Sequence, residues 1–410
     1  MKRIIDVLWL SMMAPYDTVS HAGGQTENYY LKKLANNRDI SMRMLTLCKP
    51  EEVDRLDFEK YCIENDYYIR PRKGLKGNAL RVYSWISKCF LWNKYIGFTP
   101  WDIHYGMLSL LRKNKDSIYP SIIIIQWTEI LFLLDEIKKI WPNAIIIAIE
   151  EDLSFLGLNR KRDNCKSLIS KIFFSIKGAG VEKKEIKLLN CSDFVIFSNR
   201  KDYDLARQRG LATECWAWTA FYHLFECKKT EQRTNKIVFY GAMFREENWK
   251  SAIWFIKNVM PLLEEIPVRL EIIGSRPNNK LFKYQNSRVV IRGYVENVGE
   301  ELNEAMCMVA PLLFGAGIKV KVLEAMSLGL PVLTNNIGIE GIPATNRIHY
   351  LKCDSAEDYA SAIRRLYKND VDINTMAIKA KELIRQNFNY EKDADEFIGI
   401  IMKLLGRVNG

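Results

Sequence analysis

One stretch constrains this chain more than any other: residues 307–342, CMVAPLLFGAGIKVKVLEAMSLGLPVLTNNIGIEGI. Residues 308–313 form a short apolar run, which predicts a buried strand. Phe314-Gly315-Ala316-Gly317 then turns the chain sharply. From Ile318, apolar residues recur at Val322, Leu323, Met326 and Leu330 with helical spacing, and Gly329 with Pro331 stops the helix. Residues 330–334 are a second apolar run. Strand, glycine turn, helix and strand make the unit of a parallel α/β sheet. The glycine turn leaves backbone N–H groups free at a helix N-terminus, where an anion is favoured. Lys319 and Lys321 sit in the first turns and oppose the helix dipole, which a bound phosphate would explain. Glu324 is placed to accept hydrogen bonds from a hydroxylated ligand. The bland alternative is an ordinary βαβ turn with two solvated lysines.

Taken whole, the string resembles the C-terminal signature of retaining glycosyltransferases of family 4. That signature reads roughly G-x-G-x-K-x-K-x-L-E-A-M-x-x-G-x-P-V-x-x-x-x-x-G-x-E-G. Gly315, Gly317, Lys319, Lys321, Leu323, Glu324, Ala325, Met326, Gly329, Pro331, Val332, Gly338, Glu340 and Gly341 fill it. The resemblance implies the GT-B architecture, two facing Rossmann-like domains with parallel sheets and a C-terminal helix crossing back to the first domain. It implies that Gly315, Gly317, Lys319, Lys321 and Glu340 bind the donor, with the two lysines on its diphosphate and Glu324 on the nucleotide ribose. Many members carry an earlier glutamate, and it would fall at Ala316.

The N-terminal half fits the same architecture. Residues 1–14, MKRIIDVLWLSMMA, look like a signal peptide, but Asp6 interrupts the apolar stretch. The glycine loop and helix that follow need a strand before them, so a first strand is expected over 4–10. Gly23 and Gly24 bring backbone close to a ligand, and Thr26 is a helix-cap candidate. In the family the matching loop, often H-A-G-G, lies at the cleft, which implies His21, Gly23 and Gly24 as cleft residues. Further strands are expected over 40–47, 121–126, 144–149 and 194–198, the last closing the first domain, with helices over 131–140 and 202–209. Glu150, Glu151 and Asp152 stand at the end of one strand, where side chains of a parallel sheet point into the ligand crevice. Related sequences read approximately E-H-D-V there, which implies a role near the reacting sugar for Glu151 and Asp152, with His21 beside them. A solvated acidic loop is the alternative.

The linker falls in the polar stretch 228–235, giving domains of 1–226 and 227–388 and a returning helix within 389–410. The second domain opens with a strand over 236–240 and then Gly241-Ala242-Met243. Trp254, Phe255 and Val259 are expected on the buried face of its first helix. The resemblance makes Gly241 and Arg245 diphosphate-binding candidates. It places the nucleobase near Ile272-Ile273-Gly274 and Arg292-Gly293-Tyr294-Val295.

Composition bounds the partners. The 410 residues suffice for two domains, and no apolar run reaches the roughly 20 residues of a membrane helix. Nine cysteines without a C-x-x-C pair exclude a zinc or disulfide framework and point to a reducing cytoplasm. Net charge is +11, concentrated in residues 70–116 (ten Lys/Arg against two acids) and 160–188 (nine against three). Within 70–101, Trp85, Trp92 and Trp101 interleave with Arg70, Arg72, Lys73, Lys76, Arg81, Lys88 and Lys94. Such stretches lie in anionic membrane interfaces or stack on single-stranded nucleic acid, or form helices with a solvated basic face. The membrane is the partner expected, and nucleic acid is not. The function expected is metal-independent transfer of a sugar from a nucleotide diphosphate sugar to a glycan or lipid-linked acceptor, with retention, in surface-polysaccharide synthesis. No cofactor is expected. The rival is a catalytically silent nucleotide-sugar binder or assembly partner.

Overall fold

The computed structural model describes residues 4–408 except 20, 72–73, 90–96, 166, 226–233, 316 and 370–371. Ala316, Trp92, Lys94 and the 226/227 boundary therefore lie outside the described residues, as do the side chains of Lys73, Lys76 and Lys88. The chain divides into two compact units, Met1–Phe221 with Tyr390–Gly410, and Tyr222–Asn389.

In chain order the first unit contains β1 (Ile5–Ser11), α1 (Ala22–Ala35), β2 (Ile40–Cys48), β3 (Glu64–Ile69), α2 (Gly74–Cys89) and α3 (Trp101–Asn114). Then come β4 (Ile122–Gln126), α4 (Thr128–Leu131), α5 (Leu134–Ile140), β5 (Ile145–Glu150), α6 (Ser154–Asn164) and α7 (Leu168–Asn190). It continues with β6 (Phe194–Phe197), α8 (Arg200–Gln208) and β7 (Cys215–Ala217). The strands form one parallel sheet ordered β3-β2-β1-β4-β5-β6-β7. Strands of such sheets are covered on both faces, so they read as continuous apolar runs rather than alternating ones. Accordingly β4, IIIIQ, and β5, IIIAIE, are buried at every position, with Ile124 paired to Trp9 on one side and Ile147 on the other.

Three expectations need correction. The cap of α1 is not Thr26: His21 takes that place, its Nδ1 accepting the Gly24 N–H at 2.9 Å. Thr26 lies inside the helix and accepts the Phe221 N–H at 3.0 Å. The helix expected over 131–140 breaks into α4 and α5 because the chain turns at Phe132 and Leu133, both fully buried. The strand over 194–198 is not the last of its sheet. The three-residue β7 adds an edge beyond it, too short to show a period in sequence.

The second unit runs β8 (Lys236–Tyr240), α9 (Glu246–Asn258), β9 (Arg269–Ile273), α10 (Asn279–Phe282), β10 (Val289–Gly293) and α11 (Val298–Asn303). It continues through β11 (Cys307–Ala310), α12 (Val320–Leu328), β12 (Val332–Thr334), β13 (Leu351–Lys352), α13 (Ala356–Tyr367) and α14 (Ile373–Asn387). Its parallel sheet is ordered β10-β9-β8-β11-β12-β13, so its first strand is central, as in the first unit. On α9 the buried face is Trp249, Ala252, Phe255 and Ile256; Trp254, expected inside, is only half-buried. The last helix, α15 (Tyr390–Val408), belongs to the first unit. Its Phe397 packs edge-on to Trp9, Tyr30 and Trp218, and Asp393 accepts the Thr219 N–H at 2.7 Å.

Both strand orders reverse direction beside the central strand, at β1/β4 and at β8/β11. In doubly wound sheets, ligands bind in the crevice beyond the carboxyl ends of the strands at that reversal. The loops after β1 and β4, and those after β8 and β11, are therefore the places to look.

Candidate functional site

The second unit's crevice is basic. After β8, Gly241 has φ +149, and after β9, Gly274 has φ +148. A Cβ on Gly274 would lie 1.7 Å from the Gly241 carbonyl oxygen, so only glycine lets these two loops touch. A Cβ on Gly241 would lie 3.2 Å from Lys321 Nζ. After β11, Gly315 and Gly317 both have positive φ and lead into α12 with Lys319 at its N-cap.

Lys321, one turn on, reaches back under the Gly241 loop. Its ammonium donates to Asn248 Oδ1 and stands 5.3 Å from the centre of the Phe239 ring. Burial pushes Lys321 down to about 7, the neighbouring charges of Lys319 and Arg245 push the same way, and Glu247 opposes them. The Lys319 ammonium donates to the Gly317 carbonyl and lies 3.7 Å from Glu340 Oε2. Arg245 is the N-cap residue of α9, more than half exposed and paired with Glu247. Glu324 is 2% exposed; its carboxylate accepts the His223 N–H at 3.2 Å and the Tyr240 hydroxyl, while burial pushes it up to about 7. The structure thus brings Gly241, Lys321 and the Gly315–Gly317 turn together. It adds Asn248 and Tyr240, which the sequence reading missed. Asn248 was visible only as a polar residue in a loop, and Tyr240 as the end of an apolar strand.

The first unit's crevice is acidic. Glu150 ends β5 with 1% exposure, Glu151 follows half-buried, and Asp152 is exposed. Glu151 accepts from Gln126 Nε2 at 2.6 Å and from the Ser198 hydroxyl at 2.9 Å. Burial pushes Glu151 up to about 8, and the charge of Asp152 adds to the rise. The loop holding His21, Gly23 and Gly24 lies against this group: a Cβ on Gly23 would stand 2.7 Å from the Trp127 ring and 3.5 Å from Glu151 Oε2. Gly23 and Glu151 are therefore neighbours, with His21 two residues earlier in the same loop.

Two carboxylates there had no sequence signal. Glu27, on α1, is fully buried and accepts the Trp127 indole N–H at 3.2 Å. Burial pushes Glu27 up to about 8 against the pull of Ser11 and Trp127, and the Glu151 charge adds to the rise. Glu185, from the middle of α7, meets Glu150 across one hydroxyl. Thr128 Oγ1 lies 2.6 Å from Glu150 and 3.1 Å from Glu185, and it accepts the Ser154 hydroxyl proton at 2.8 Å. Glu185 also accepts the Ser154 N–H at 2.9 Å and the Phe155 N–H at 3.3 Å. Burial raises both carboxyls, and the charge of Glu185 adds to the rise of Glu150. Among the described residues no group of three or more His, Cys, Asp or Glu is arranged to hold a metal ion.

Comparison with known proteins agrees with this geometry. Residues 234–369 match the family described as glycosyl transferases group 1. That segment opens at β8 and carries the whole basic crevice. Sucrose-phosphate synthase from Thermosynechococcus elongatus shares the fold with a TM-score of 0.66 at 14% identity, covering 98% of this chain and 100% of that one. HepE of Anabaena, solved in complex with UDP, aligns with a TM-score of 0.65 at 11% identity, covering 97% and 100%. TarM aligns with a TM-score of 0.64 at 13% identity, covering 96% and 98%. The fold is thus that of GT-B glycosyltransferases. A 44.6 kDa protein from the cps region of Klebsiella pneumoniae is 25% identical over 181 residues, 42% of this chain. The chain spans about half the length of that curated relative, 47%.

Proposed function

We propose that the chain transfers a sugar from a nucleotide diphosphate sugar to a glycan acceptor, with retention of configuration and without a metal ion. The observation that carries this reading is Lys321: a half-buried lysine at the strand reversal of the second sheet, its charge suppressed by desolvation, under a glycine loop. A diphosphate entering there would favour the charged lysine, which takes its proton from solvent and pairs with the ligand. That charge-assisted contact strengthens as charge builds on the leaving diphosphate. Lys319, the backbone N–H groups around Gly315 and Gly317, and Gly241 would share that charge, with Arg245 and Glu340 at the rim. Glu324 would take the ribose hydroxyls on lone pairs left free by His223 and Tyr240. In the first unit, His21, Glu151 and Asp152 would contact the reacting sugar and acceptor. UDP is the nucleotide to try first, since HepE, similar in fold, was solved with UDP-glucose.

The acceptor is taken to be lipid-linked, and the site of action the inner face of the membrane. No helix among the described residues is long and apolar enough to cross a membrane. Yet α2 exposes Val82, Tyr83 and Trp85 beside Arg81, and α7 exposes Leu168, Ile169, Ile172 and Ile176 beside Lys171. Exposed apolar faces edged with cations fit an anionic interface. The cps-region relative supports a place in surface-polysaccharide synthesis.

Incubation with radiolabelled UDP-sugars and lipid extract tests the reading. Label should move to the lipid fraction with its anomeric configuration kept, in the presence of EDTA. Nucleotide binding with neither transfer nor slow hydrolysis would favour the catalytically silent binder.

A further inference from the structure

Trp127 stands where β4 ends, at the strand reversal of the first sheet, and its backbone is at φ +77 and ψ 137. That conformation belongs to glycine, and a bulky side chain holds it only when its surroundings over-determine it. Those surroundings are specific. The Trp127 N–H donates to the Ile149 carbonyl at 3.2 Å, and its indole N–H donates to Glu27 Oε2 at 3.2 Å. Gly23 leaves room for the ring edge, where even a Cβ would come within 2.7 Å. Trp127 is half-buried, so part of its surface is open to a ligand.

The polar groups around it are carboxyl, amide and hydroxyl groups. Glu151, Glu27 and Gln126 line the same place, and neither Glu27 nor Glu151 has a lysine or arginine partner among the described residues. Among the described residues, Glu27 Oε1 and Gln126 Oε1 are buried without a well-formed hydrogen bond, Ser11 and Trp9 standing near Glu27. Glu151 accepts two hydrogen bonds of the roughly four a carboxylate takes. An aromatic face beside such groups, without a cation, suits a ligand with an apolar ring face and hydroxyls. It offers phosphate no counter-charge.

We propose that Trp127 is the platform of a carbohydrate subsite in the first unit, that Glu27 is the positioning residue holding its indole, and that the subsite takes an uncharged sugar. Only the naming of that sugar as the acceptor's end rests on the glycosyltransferase reading.

Saturation-transfer NMR on the full chain tests it. The uncharged probes are methyl α-glucoside, methyl α-galactoside, methyl α-mannoside and maltotetraose; the anionic ones are glucuronate and glycerol 3-phosphate; UDP is titrated separately. At millimolar concentration at least one uncharged probe should respond. Trp127→Ala should weaken that response about tenfold while UDP affinity holds. Trp127→Gly should lose the response equally yet melt no lower than Trp127→Ala, because glycine adopts the backbone without strain. Glu27→Gln, which still accepts the indole N–H, should keep the response that Glu27→Leu loses. An unchanged response in the Trp127 variants, a response to the anionic probes alone, or none from any uncharged probe would overturn the subsite. If UDP fails to bind but a Trp127-dependent response persists, the subsite stands and the glycosyltransferase reading falls.

Discussion

At the strand reversal of the first sheet stand Glu27 and Glu151, both pushed up to about 8; at that of the second stands Lys321, pushed down to about 7. The two sheets share their order around a central first strand, and in both crevices burial suppresses the charge of the ionisable group. What differs is the sign. An arriving anion favours the charged form of a suppressed lysine, which takes its proton from solvent, so on the proposed reading the second crevice would select negative charge. Suppressed carboxyls, without cations beside them, offer an anion no counter-charge and would both donate to and accept from hydroxyls. One scaffold therefore offers two selectivities, set by which side chains the loops bury and not by the sheet beneath them.

The largest test of this division concerns the outer surface of the first unit. If attachment to lipid belongs to that unit, replacing Lys73, Lys76, Arg81 and Lys88 by Ser removes four contacts worth about 1 kcal/mol each. Sedimentation with phosphatidylglycerol vesicles should fall by about a thousandfold in partition constant, while UDP affinity is kept. Parent binding should fall as salt rises. A variant that sediments like the parent would make the segment ordinary packing.

The next concerns Lys321. Lys321→Ala should weaken binding of a nucleoside diphosphate by about tenfold or more, the worth of one charged contact. The unliganded lysine loses its proton above about pH 7, so parent affinity should drop by up to about tenfold per further pH unit. The variant should lack that slope. Calorimetry giving both proteins the same slope would break the claim that the second crevice binds through this ammonium.

The last concerns Glu27 and is read as stability. A carboxyl raised to about 8 when folded favours the native state fully below its unfolded value near 4.5, and that stability is lost as pH rises through about 8. Glu151 faces it and shifts the same way. Glu27→Gln should therefore gain on the parent by on the order of 2 kcal/mol between about pH 5 and pH 8.5 in urea unfolding. Parallel stability curves for the two proteins would mean that Glu27 is not held neutral.

The two crevices were unequally legible. Gly315, Gly317, Lys319, Lys321 and Glu324 lie within ten residues, so their spacing on one turn and helix shows in the sequence. Trp127 and Glu27 are separated by 100 positions, and Glu150 and Thr128 by 22. Glu27 reads as one more polar residue of α1, and Glu185 as one more charge in a basic helix. Thr26 looked the better cap because it is the common one. His21 took the position because its ring reaches Gly24, which no propensity encodes.

By itself the sequence determined the parallel sheets. Runs such as 122–125 and 145–149 are apolar at every residue, and only a strand covered on both faces accepts that. It also determined the loop at 314–317, because its glycines and lysines are neighbours in the chain. Only the tertiary structure decided which ionisable groups lose water. Charge state depends on what distant strands and helices place around a group: Lys321 under the Gly241 loop, Glu27 behind Trp127, and Glu185 against Thr128.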